Sequence, residues 1–68
     1  MRKFLVFETN DDAKKVEVTS VFIYEAENAI NKFNSTGEID DSETATALAE
    51  KCPVDMSVVK RISIIFEK

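Results

Sequence analysis

One cysteine and no histidine stand in a chain of 68 residues, and these two counts limit what the fold can be. A chain of this length buries only about 60 % of the surface its unfolded form exposes, so domains this small commonly add a disulfide, a metal or a second subunit. Cys52 alone closes no intramolecular disulfide, and without histidine the common zinc ligand sets are missing. Stability must come from side-chain packing, with self-association or a partner as the remaining supplement.

The material for a core is present. Hydrophobic residues make up 44 % of the chain, and a single glycine and a single proline leave no linker or low-complexity stretch. Residues 1–68 are read as one domain. The longest apolar runs, Phe4–Phe7 and Val21–Tyr24, are too short to span a bilayer. Met1-Arg2-Lys3 ahead of an apolar run looks like the start of an export signal, but Glu8 ends the run and no small-residue cleavage site follows. A cytoplasmic location is expected, and the Asn34-Ser35-Thr36 sequon is then read as part of a turn.

Residues 2–8 are dense in apolar and aromatic side chains and close on the turn-forming Asn10-Asp11-Asp12, which predicts a strand. Lys15 to Thr19 alternates polar and apolar with period two, so a second strand forms a hairpin with the first. Phe22, Ala26, Ala29, Ile30 and Phe33 recur at helical spacing and predict a first helix. Its start is ambiguous: Ser20 can cap it, yet the strand-favouring Val21–Tyr24 can also continue the second strand. Residues 34–37 end it. Asp40 three residues before Glu43 resembles a capping box, and Ala45, Leu48, Ala49 and Cys52 follow on one helical face up to Pro53. Residues 58–67, rich in β-branched side chains, complete the set as a third strand. The expectation is an α+β fold of order β-β-α-α-β, a three-stranded, mainly antiparallel sheet with both helices on one face and residues 3–8 central.

Chemistry finds little to work with. General acid–base catalysis lacks its usual histidine. Glu38, Asp40, Asp41 and Glu43 do not follow the calcium-loop order and read as capping residues. Cys52 falls at the C-terminal end of its helix, where the dipole disfavours a thiolate, and continues an apolar stripe. Gly37 alone makes no phosphate-binding loop. No enzyme activity, cofactor or metal is expected. Residues 23–55 carry eight acidic groups against Lys32 and Lys51, so the helical layer is acidic while the sheet is mildly basic. The net charge of −4 opposes contact with phosphates, and no stripe of Arg or Lys or Gly-aromatic segment marks a nucleic-acid platform.

One feature leans toward function. Strand one is apolar on both faces, Phe4 and Val6 against Leu5 and Phe7, and strand three sets Ile65 against Ile62, Ile64 and Phe66. A sheet with helices on one side and water on the other alternates more cleanly. Two arrangements satisfy the excess: the stems of long side chains such as Lys3, Lys15 and Arg61, or a chain terminus, fold over it, or Leu5, Phe7 and Ile65 form a patch that meets a second protein or a second copy, with Tyr24 at its rim. The expected function is a small non-catalytic protein-binding module, a regulator or inhibitor of a larger protein, a role often filled by chains of this size, those of bacterial viruses included. The alternatives are a structural homo-oligomer, most simply a homodimer, and a single-strand nucleic-acid binder using Lys60 and Arg61.

Overall fold

The computed structural model describes all 68 residues, Met1–Lys68. Three strands, β1 (Arg2–Glu8), β2 (Ala13–Val18) and β3 (Arg61–Glu67), form an antiparallel sheet in the order β2-β1-β3, and two helices, α1 (Ser20–Thr36) and α2 (Glu43–Lys51), lie between β2 and β3 in sequence. The expected α+β order and the central position of β1 both hold.

The register of the hairpin comes from its loop. Thr9 donates its N–H to the Asp12 carbonyl at 2.8 Å, and its Oγ1 accepts from the Asp12 N–H at 3.1 Å. This closes residues 9–12 and puts Leu5 opposite Val16 and Phe4 opposite Glu17. On the other side β1 places Leu5 opposite Ile64 and Phe4 opposite Ile65. Paired residues share a face, because side chains alternate along each strand. Leu5, Phe7, Val16, Val18, Ile62 and Ile64 thus lie on one face, where Ala26, Ile30 and Phe33 of α1 and Leu48 of α2 cover them. Leu5, Phe7, Leu48 and Ile62 are the largest fully buried side chains, each worth about 1.5–3 kcal/mol of burial.

The local boundaries follow caps. Thr19, not Ser20, caps α1: its backbone is extended and its Oγ1 accepts the Phe22 N–H at 3.1 Å, so Val21–Tyr24 turn into helix rather than continuing β2. The helix runs through Asn34 and Ser35, past the predicted break, and stops at Gly37. There the left-handed φ of 76° lets the Gly37 N–H close on the Phe33 carbonyl at 2.8 Å. α2 is capped by Ser42, whose Oγ accepts the Ala45 N–H at 3.2 Å, and not by Asp40. β3 starts at Arg61 and not near Val58, because Asp55 caps a 3-10 turn over Met56–Val58 by accepting the Ser57 N–H at 2.9 Å. Beyond that turn Val59 enters the core.

A Cβ at Gly37 would meet nothing within 4 Å, so the only penalty for a side chain there is the backbone conformation. Gly37→Ala should lower stability by about 1–2 kcal/mol and Gly37→Asn by less, read as a shift in the urea midpoint at constant slope.

Candidate interaction surfaces

The register overturns the expected patch. Leu5 and Phe7 are fully buried under the helices, whereas Ile65 pairs with Phe4 on the opposite face. Tyr24 stands on the outer side of α1, 81 % exposed, and Arg61 is exposed on the helix-free face opposite Glu8. The structure brings Arg61 and Ile65 onto one face and keeps Leu5, Phe7 and Tyr24 apart from them. The error has a physical origin. With both faces of β1 apolar, the helices could claim either one, and only the pairing of Leu5 with Val16 and Ile64 decides between them.

The helix-free face is closed by its own charges. Phe4 lies there with no helix above it, yet it is only 5 % exposed. The Lys15 Nζ sits 4.5 Å from the centre of its ring and the Arg2 guanidinium carbon 5.1 Å away. Both cations are anchored on carboxylates of the flanking strands. Lys15 reaches Glu67 at 2.7 Å, and Arg2 binds Glu17 through two nitrogens at 3.1 and 3.2 Å. The hydrogen bond from Arg2 is the main reason the Glu17 carboxyl is held below its ordinary range. Ser63 donates to Glu8 at 3.0 Å beside them. Side-chain stems do cover the excess apolar surface, as one of the sequence-based arrangements requires: Lys15 is among the three residues named for it, and Arg2 takes the place of the other two. Lys3 lies on the helix-facing side, opposite Val18 and Phe66, and Arg61 takes part in none of the four ion pairs of the chain.

Three other places were candidates for chemistry. The acidic run between the helices is a turn scaffold: Asp40 accepts from the Ser42 N–H at 3.0 Å and from Lys32 at 3.0 Å. Chiefly through Ser42, and secondly through Lys32, its carboxyl is lowered to about 2. Cys52 is half-buried at the C-terminal cap of α2. A shallow depression between the β1–β2 loop and the 3-10 turn, lined by Asn10, Asp12, Lys14 and Lys60 among others, mixes charges of both signs. No group of three acids or cysteines is placed to hold a metal ion, and no helix is long and apolar enough to cross a membrane.

Two surfaces remain that the internal contacts do not occupy. The first is the outward midline of α1, where Val21 (66 % exposed), Tyr24, Asn28, Asn31 and Ser35 follow at helical spacing without a charge among them. Glu25 and Lys32 flank it on one side and Glu27 on the other. The second is the outer edge of β3, where Phe66 is 59 % exposed. Sequence reasoning named Tyr24 for its residue type and missed the strip around it, although the spacing of Val21, Tyr24, Asn28, Asn31 and Ser35 was available. No protein-family model matches this chain, and no curated protein and no solved structure matches it.

Two measurements test these contacts. In a double-mutant cycle, Phe4→Leu and Lys15→Met should couple by about 0.5–1 kcal/mol, and additive losses would mean that the ammonium contributes nothing over the ring. Asp40, lowered in the folded state, stabilises the fold above its unfolded value, and that contribution is lost as pH falls toward about 2. The stability difference between the native chain and Asp40→Asn should therefore shrink between about pH 4 and pH 2, as measured by urea unfolding at a series of pH values.

Proposed function

We propose that the protein is a non-catalytic binding module that regulates or inhibits a larger protein by occupying its surface, with the outer strip of α1 as its docking element. One observation carries the reading. In a chain where 32 % of residues are charged, the midline of a 17-residue helix carries none. The centres of protein interfaces are depleted in charge, because a desolvated charge must find a partner. Tyrosine, asparagine and serine suit such a surface: the aromatic ring supplies contact area at low entropic loss, and the short polar groups adapt their hydrogen bonds.

The charges around the strip describe the partner. Glu25 and Glu27 flank it, Lys32 is held by Asp40, and Glu43 stands beside Glu25 across the small cleft between α1 and α2. A matching surface presents an apolar recess for Tyr24 rimmed by lysine or arginine, and opposite charge of this kind raises the association rate more than the final affinity. The helix-free sheet face offers less, because Arg2 and Lys15 are already paired with carboxylates. The same pairing weakens the case for single-stranded nucleic acid on that face.

Because Tyr24 is so exposed, Tyr24→Ala should leave melting unchanged while weakening partner binding by about 2 kcal/mol, roughly thirty-fold. The check is capture from cell extract with native, Tyr24→Ala and Asn28→Arg chains, followed by calorimetric titration of the purified captured protein. The reading fails if nothing is captured, or if both variants bind it as tightly as the native chain.

A further inference from the structure

β3 is an edge strand, and ladder geometry decides which of its backbone groups are free. In an antiparallel pair, alternate residues turn both N–H and C=O toward the partner strand, and the residues between them turn both away. Asn34 identifies the outward set: its Nδ2 donates to the Ile62 carbonyl at 2.8 Å and its Oδ1 accepts the Ile62 N–H at 2.9 Å. Ile64 and Phe66 therefore also face outward, and no side chain of the protein meets them there as Asn34 meets Ile62. By the same alternation the outward residues of the opposite edge are Ala13, Lys15 and Glu17 of β2. Charged side chains blunt that edge in the way edge strands are commonly protected. The seven residues of β3 pair with β1 without a bulge and contain no lysine or proline, so its edge lacks this protection beyond Ile62.

The geometry points to a homodimer in which β3 pairs antiparallel with β3 of a second copy about a two-fold axis at Ile65, so that Ile64 lies opposite Phe66 of the partner subunit. In this register the outward Ile64 and Phe66 of each copy donate and accept one backbone hydrogen bond apiece. A pairing centred on Ile64 would push Phe66 of the partner subunit, a β3 residue, into the place at Ile62 that the Asn34 amide fills, whereas here Lys68 of the partner subunit, which follows β3, comes opposite Ile62 and has to turn aside from that amide.

The side chains agree with the register. On the helix-facing side, each exposed Phe66 packs against a half-buried Ile64, a pairing of aromatic and β-branched residues that stabilises sheets. On the other side, Ile65 meets Ile65 of the partner subunit. Arg61, which has no ion pair within its own chain, is the diagonal neighbour of Glu67 of the partner subunit, within reach of a long side chain. There is room for the second copy. α1 leaves β2 at Thr19 and reaches the β3 edge only at Asn34, and the exposure of Phe66 shows that no helix covers the opposite end. The added burial is what a 68-residue chain without a disulfide lacks.

Cross-linking reads the register directly. Ile65 would form a non-hydrogen-bonded pair across the axis, with Cα atoms about 4.5 Å apart, within the range a disulfide bridges. A Cys52→Ala/Ile65→Cys chain treated with oxidised glutathione should give a covalent dimer as its main product, and Cys52→Ala/Ile64→Cys should give much less. In light scattering across a dilution series, the native chain should pass from dimer to monomer, and Phe66→Lys should raise the dissociation constant at least ten-fold. A native chain monomeric at all concentrations, preferential linking through Ile64→Cys, a failure of Ile65→Cys to link, or an unchanged Phe66→Lys dimer would each overturn the inference. Tyr24→Ala should dimerise like the native chain, so the α1 docking reading and the β3 pairing can fail separately.

Discussion

The pairing of β1 with both of its neighbours is the constraint from which the rest of the structure follows. A shift of one residue in a strand register exchanges its two faces, and in β1 both faces carry large apolar side chains. Opposite Val16 and Ile64, Leu5 joins the one face where β2 and β3 are also apolar, and the helices close on that face. Phe4 is left on the other side with Lys15, Glu17, Ile65 and Glu67 around it. Two different covers result, one of packed aliphatic and aromatic side chains and one of charged stems.

The two covers differ in strength. The helical cover excludes water from Leu5, Phe7, Leu48 and Ile62 and supplies most of the burial. The charged cover rests on ion pairs whose side chains remain roughly half exposed, and pairs of that kind contribute only about 0–1 kcal/mol each. Their value lies in position. Holding Lys15 and Arg2 over Phe4 hides an aromatic ring that would otherwise be an adhesive spot, and moves the free surfaces to the outer side of α1 and the edge of β3.

Much of the architecture was legible in the sequence because each element carries its own signal. The alternation in Lys15–Thr19, the helical recurrence of Ala26, Ile30 and Phe33, and the β-branched run to Phe66 fix type and order without tertiary information. The boundaries moved where two residues compete for one cap, Thr19 against Ser20 and Ser42 against Asp40, since short polar side chains are nearly equivalent until the backbone chooses. The candidate site was read less well. Leu5 and Ile65 were grouped into one patch although an antiparallel register with Phe4 opposite Ile65 puts them on opposite faces. The four-residue loop from Thr9 to Asp12 held the needed information, because it pairs Leu5 with Val16. The hydrogen bonds from Asn34 to Ile62 span 28 positions, and nothing local announces them.

Nuclear Overhauser contacts from the phenylalanine rings test the assignment of faces most directly. The Phe4 ring should show contacts to the side-chain methylenes of Lys15 and to Ile65, and the Phe7 ring to the buried aliphatic side chains beneath α1 and α2. Contacts from Phe4 to Leu48 or Ile30, with Phe7 close to Lys15 instead, would mean that β1 presents its other face to the helices and would contradict the account.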